Sequence, residues 1–375
     1  MRSRFSRSDI WLLSAGAILT AASGATRYAH VGRVVPFVVS AIALGVLAAV
    51  VGRSVDRLGD RLGSGMTGVV QSALGNLPEL FFGIFALRAG LVGVLQAALI
   101  GSIIANVLLI LGLAFLVGGL KHGTQRFSAD SARVIVVLLV LAVSVVMIPT
   151  LGVHLDVAVR NHKVALSYIA SVVLLAVFVL SAPRSVRREV DEKDPGEAAA
   201  TTKPLAARAQ SDHGGLGASS GAAWSISLVI VALLASSVAA AFVSDWFVAA
   251  LSPALLALHM SQAFAGLIVV AIAGNAVENV VGVQLSARNR SDYAVSVILQ
   301  SPVQIALALI PALVLLSGVI GGAQLTLVLP PFLAVVLALT TLIAAVVVLD
   351  GESTWLEGAC LVGLYVVIGA SFWWG

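Results

Sequence analysis

Leu74-Gly75-Asn76-Leu77-Pro78-Glu79-Leu80 and Ala273-Gly274-Asn275-Ala276-Val277-Glu278-Asn279 decide how this chain is read. Each sets Gly-Asn-x-x-Glu inside a long apolar run. A serine follows each glutamate at 23 residues, Ser102 and Ser301, and an amide lies just beyond each serine, Asn106 and Gln304. The Gly, Asn, Glu and Ser positions share one offset of 199 residues. Agreement at that many polar positions in so apolar a chain marks an internal repeat.

The surrounding composition says where the repeat lives. Of 375 residues, 59% are apolar and 11% charged. Soluble domains carry about 25% charged residues, so this chain lacks the charge to cover a water-facing surface. The net charge of +4 is spread over short loops with no aromatic-interleaved basic patch, which argues against nucleic-acid binding. The single cysteine, Cys360, sits in an apolar run and allows no internal disulfide. The 35 glycines suit close helix packing.

Eleven apolar stretches are long enough to cross a bilayer: approximately 9–26, 34–52, 66–87, 92–119, 131–150, 163–182, 222–248, 262–286, 292–318, 324–349 and 354–374. No period-2 pattern appears, so these are helices. The expected fold is an all-α integral membrane protein of about 11 transmembrane helices, one N-terminal helix plus two inverted five-helix repeats. The domains are the N-terminal helix (1–33), the first repeat (34–182), a flexible polar linker (183–221) and the second repeat (222–375). Arg2, Arg4 and Arg7 before the apolar run Ile10 to Ala22 resemble signal-peptide grammar. Retention of the first helix is the preferred reading, because membrane protein follows it throughout.

Loop charge sets the orientation. With the N-terminus in the cytoplasm, 17 of the 22 Lys and Arg residues fall on the cytoplasmic side and 5 outside. Without the linker the split is 11 to 5. The C-terminus is then external, in what reads as a bacterial-type plasma membrane. A repeat of five helices begins its second copy on the opposite side of the membrane, so the two copies are inverted. Inverted repeats with interrupted helices near the midplane are a transporter signature. Gly75, Pro78 and Gly274 are the expected interruptions, since glycine is permissive and proline removes a backbone donor.

Of the 18 acidic residues, only Glu79 and Glu278 fall deep within spans. A carboxylate at a helix centre costs about 2.5–3.5 kcal/mol on insertion scales. Two at matching repeat positions point to a cation and proton site. Asn76, Asn275, Ser102, Asn106, Ser301 and Gln304 offer neutral oxygens around them, the ligand mixture that hard cations such as calcium take. No Cys/His cluster suits a softer metal, and His30, His122, His154, His162, His213 and His259 are loop or edge residues. Asp245 and Glu357 read as solvated or capping groups near helix ends. No nucleophile, phosphate loop or catalytic triad is present, so the chain does not read as an enzyme.

Further motifs carry a resemblance. They are Gly101-Ser102-Ile103-Ile104-Ala105-Asn106-Val107-Leu108-Leu109, Gly118-Gly119-Leu120, Gln125-Arg126-Phe127, Ser301-Pro302-Val303-Gln304-Ile305-Ala306-Leu307 and Asp350-Gly351-Glu352-Ser353-Thr354-Trp355-Leu356-Glu357-Gly358. With the two Gly-Asn-x-x-Glu segments, the chain over about 34–374 resembles the calcium/proton exchanger family of the cation/calcium antiporter superfamily. The resemblance implies that Glu79 and Glu278 bind cation and protons in alternation. It implies assistance from Asn76 and Asn275, with helper oxygens from Ser102, Asn106, Ser301 and Gln304. Gln300 stands where the family has glycine, Pro302 follows the serine, Pro78 replaces a small or hydroxyl residue, and Asn279 replaces a common histidine. These departures bear on cation preference and on gating of the second repeat.

The function expected is secondary exchange of a divalent cation, calcium first, for protons by alternating access, with no resident cofactor. The partners are the cation, protons and membrane lipid, and a homo-oligomer is compatible. The alternatives are a sodium-coupled cation/calcium exchanger and a passive cation channel. The scarcity of further intramembrane carboxylates, with the Gln-Arg-Phe and Trp-Leu-Glu-Gly signatures, favours protons. A channel would form a ring of equivalent subunits and need no countertransport.

Overall fold

The computed structural model describes residues 6–29, 31–62, 74–155, 158–190 and 225–373, with only the backbone described at 56, 59–62, 158–159, 182–190 and 276–279. In these residues the protein is an all-α membrane protein with one very short strand pair. Its helices are α1 (Arg7–Tyr28), α2 (Val35–Leu62), α3 (Leu77–Arg88), α4 (Val92–His122), α5 (Ala129–His154), α6 (Lys163–Val190), α7 (Ile226–Leu258), α8 (Gln262–Gly274), α9 (Ala276–Ser286), α10 (Ser291–Ser317), α11 (Pro331–Val347) and α12 (Trp355–Trp373). Helix α6 continues through Val190, into the stretch read from sequence as linker. The linker residues 191–221 lie outside the described residues, as do 66–73 of the third expected span.

The chain divides into two compact units, Met1–Phe82 with Val179–Ala254, and Gly83–Phe178 with Leu255–Gly375. In the first unit α1 packs along α2. Ser6 caps α1 reciprocally with Asp9: the Asp9 N–H donates to Ser6 Oγ (3.1 Å) and the Ser6 N–H to Asp9 Oδ2 (3.3 Å). Asp9 is nearly fully buried, and an isolated carboxylate there would be costly. Arg53 Nη1 from α2 lies 2.5 Å from Asp9 Oδ1, and Arg57 Nη2 is 3.9 Å from Oδ2. Ser23 and Ser40 bridge the same helices at 2.8 Å. An aromatic cluster fills the unit's core: Phe37 stacks on Phe247 at 5.2 Å, and Phe82 meets Phe247 edge-on at 5.9 Å.

In the second unit, α4 and α10 are the central helices. Within their most apolar windows 78% and 72% of residues are buried, against 22% for Arg160–Ser181, which leaves its apolar surface for lipid. Glycine lets α4 and α8 cross at backbone contact. A Cβ on Gly101 would lie 2.5 Å from Leu267 Cα and O, and one on Gly266 would strike the Val94 carbonyl. The long helices are locally widened into π turns at Ala105–Ile110 in α4, Ala265–Val270 in α8 and Ile305–Leu309 in α10. The 199-residue offset maps the first of these onto the third to within one residue. Single π turns concentrate at functional sites.

The tenth span differs from its sequence reading of 324–349. The helix starts at Pro331, after Pro330, and Leu325–Leu329 is non-helical yet buried at alternate residues. Non-helical backbone at membrane depth must find partners inside the protein, and here side chains supply them. Gln96 Nε2 donates to the carbonyls of Thr326 (3.1 Å) and Val328 (2.9 Å). Thr150 Oγ1 donates to Leu327 O and accepts from the Leu329 N–H. The hydroxyls of Ser167 and Ser317 accept from the N–H groups of Leu327 and Leu325. Glu357 is a capping residue: its Oε2 accepts from the Thr354 N–H (2.8 Å) and hydroxyl (2.9 Å) at the start of α12. Asp245 is exposed and lies within α7, which runs on to Leu258.

Candidate functional site

Both Gly-Asn-x-x-Glu segments fold as helix interruptions of one design. Leu74 is helical, Gly75 and Asn76 form a turn, and α3 starts at Leu77. In the second copy α8 ends at Gly274, Asn275 leaves helical geometry (φ −95°, ψ 23°), and α9 starts at Ala276. Each glutamate is therefore the third residue of a new helix. A helix start carries unpaired N–H groups and a positive dipole end, which favour a carboxylate. Pro78 is buried as the second residue of α3, where its missing N–H costs no helical hydrogen bond. Glu79 is half-buried and belongs to the first unit; of Glu278 the structure describes the backbone within α9 of the second unit.

The second unit gathers several of the neutral groups singled out from sequence. Asn106, fully buried inside the α4 π turn, donates from Nδ2 to the Ser102 carbonyl (2.9 Å) and to Asn275 Oδ1 (3.0 Å). The Ser301 hydroxyl donates to the same Asn275 Oδ1 (3.3 Å) and lies 3.5 Å from Asn106 Nδ2. Asn275 Nδ2 is held by the Ala271 carbonyl at 2.9 Å. Asn106 Oδ1 is buried and accepts no hydrogen bond from a described residue. A buried oxygen of that kind, on an amide whose nitrogen meets a second amide oxygen and a hydroxyl, is the type of neutral ligand that a hard cation takes. Ser102 enters through its carbonyl, one turn before Asn106. Gln304 is half-buried and immediately precedes the α10 π turn. Asn76 is half-buried in the turn that opens α3, in the first unit.

Sequence reasoning had no signal for the π turns, which add a residue to a helical turn without a breaker residue. It also passed over Gly266, which lies in an apolar run and shows its role only against Val94.

A profile of the family described as "Sodium/calcium exchanger protein" matches residues 33–184 and 225–374. The chain belongs to this family. Within it the chain sits with the calcium/proton exchangers. It is 31% identical over 351 residues to the Ca(2+)/H(+) antiporter of Aphanothece halophytica, covering 92% of this chain and 91% of that protein. It is likewise 31% identical over 346 residues to the Ca(2+)/H(+) antiporter ChaA of Bacillus subtilis (strain 168), covering 92% and 93%. The structure of native YfkE superposes with a TM-score of 0.77 at 27% identity, covering 97% of this chain and 99% of that one. The H+/Ca2+ exchanger CAX shares the fold, with a TM-score of 0.72 at 18% identity over 96% and 88% of the two chains.

Proposed function

We propose that this family member is a secondary-active antiporter, not an enzyme, that exchanges calcium for protons by alternating access. Glu79 and Glu278 carry cation and protons in turn, and Asn76, Asn275, Ser102, Asn106, Ser301 and Gln304 supply neutral oxygens. The observation that carries this reading is the twice-made interruption, a glutamate at the third residue of a helix that starts from an asparagine turn. The buried amide cluster of Asn106 and Asn275 with Ser301 supports it, as do the names of the relatives. Calcium and protons are cargo, and binding a divalent cation to carboxylates expels protons by linkage.

The test is purified protein in liposomes with an imposed pH gradient, assayed with calcium, manganese, sodium and potassium. Calcium uptake should follow the proton gradient. A sodium gradient at equal pH on both sides, with proton leak clamped, should drive none. Robust sodium-driven uptake would instead make this a sodium-coupled exchanger, and calcium flux with no countertransported ion would make it a channel.

The orientation proposed is a cytoplasmic N-terminus, a cytoplasmic 191–221 segment and an external C-terminus, from the 17 to 5 distribution of basic residues. Single cysteines introduced between 195 and 215 should resist impermeant thiol reagents in intact cells and react after permeabilisation. Labelling in intact cells would reverse the topology.

A further inference from the structure

Three motifs noted in the sequence have no part in the amide cluster, yet they meet in one place. The residues after α4 and before α12 form an antiparallel pair, β1 (Gln125–Arg126) with β2 (Glu352–Ser353), in register Gln125 to Ser353 and Arg126 to Glu352. The Phe127 N–H donates to the Gly351 carbonyl (2.8 Å), and Arg126 Nε lies 3.1 Å from Glu352 Oε1. The two glycines at the end of α4 make room for this clasp. A Cβ on Gly118 would collide with the side chains of Gln125 and Ser286, and one on Gly119 would lie 2.5 Å from the Trp355 nitrogen.

The clasp grips the end of α9. Gln125 is 2% exposed, and its amide is fully engaged there. Nε2 donates to the Ser286 carbonyl and to Asn289 Oδ1, both at 3.0 Å, and Oε1 faces the Ser286 hydroxyl at 2.7 Å. That hydroxyl also reaches the Ala114 carbonyl of α4 at 2.6 Å. Ser286 is the last residue of an 11-residue helix whose other end is the Asn275 interruption. Beyond this end, Gly282 of α9 packs against Ile298 of α10, and His122 Nε2 lies 3.0 Å from the Ala287 carbonyl. Glu278 lies eight residues upstream of Ser286, about 12 Å along a rigid helix. Axial play at Ser286 therefore passes undiminished to Glu278, and calcium–oxygen distances tolerate only a few tenths of an ångström.

We propose that Gln125 is a positioning residue for cation binding: through Ser286 it fixes the axial position of the helix that carries Glu278. This rests on the cation-binding role proposed for Glu278. The experiment is calcium titration of the full-length protein in detergent at fixed pH, with thermal melting and liposome exchange in parallel. Gln125→Met keeps the volume and loses the amide. It should weaken calcium binding about tenfold and raise the half-saturating calcium for exchange in step, while the maximal rate falls less than about twofold. Ser286→Ala should weaken binding similarly, and the double variant no further, because both changes break one network. Asn289→Gly removes one acceptor and keeps the left-handed conformation that Asn289 adopts (φ 59°), so it should fold and lose about two- to threefold. Wild-type calcium affinity in folded variants, even with lowered melting temperatures, would leave Gln125 a purely structural residue and overturn the proposal. Glu278→Gln separates the two readings. If it binds calcium like wild type, the site reading itself falls; if it loses binding while Gln125→Met does not, only the positioning role falls.

Discussion

Glu79→Gln and Glu278→Gln should each reduce calcium-dependent proton release to the level of empty liposomes. Both glutamates occupy the third position of a helix begun at an asparagine turn, at matching places in the repeat. Glutamine keeps the shape and one oxygen but removes the ionisable group, so a step that trades cation for proton has nothing to titrate. The protein should remain folded and membrane-inserted, because the substitution removes no packing volume. Asn106→Ala or Gln304→Ala should instead weaken apparent calcium affinity by about threefold to tenfold, the scale of one neutral ligand at ~1 kcal/mol, with activity retained. Proton efflux on calcium addition, read with a trapped pH dye, measures the whole set. Near wild-type exchange by either glutamine variant would require both carboxylates to be reread as structural.

The second large effect concerns the fold. Gly101→Ala should destabilise the protein by about 1–3 kcal/mol, the range for overpacking, and Gly101→Val by more. The reason is that the added Cβ meets Leu267 Cα and O, and backbone cannot step aside as a flexible side chain can. Relief requires α4 and α8 to separate, which would also open the contact between Asn106 on α4 and Asn275, the residue that directly follows the end of α8. Gly363 provides the matched control. It is helical and exposed, and a Cβ there meets nothing within 4 Å. Gly363→Ala should leave the melting temperature unchanged or raise it slightly, since alanine is the better helix former. Thermal melting of the detergent-solubilised variants gives both results. Equal melting temperatures for Gly101→Ala and Gly363→Ala would show that the α4–α8 crossing is not the tight contact described.

Much of this protein was determined by the sequence alone, because membrane insertion writes itself into composition. A chain with 59% apolar and 11% charged residues cannot fold with its surface in water, and without the period-2 pattern of a barrel its lipid-facing backbone must be satisfied within helices. The repeat was legible for a related reason. Polar residues are costly in apolar spans, so Glu79 and Glu278 with their asparagines and serines stand out, and their common offset needs no structure to be seen. Span boundaries were less legible. Hydropathy reports burial, not conformation, so the apolar segment Leu325–Leu329 read as helix, although Gln96, Thr150, Ser167 and Ser317 hold it in a non-helical path. Only the tertiary structure decided that Asn106, Asn275 and Ser301 meet, residues separated by 169 and 26 positions in the two hydrogen-bonded steps. The same holds for Gln125, which reads as a loop amide until Ser286 and Asn289 are brought to it. Contacts between distant residues depend on how helices cross, and that is set by which glycines face a backbone, a property no local pattern in the chain records.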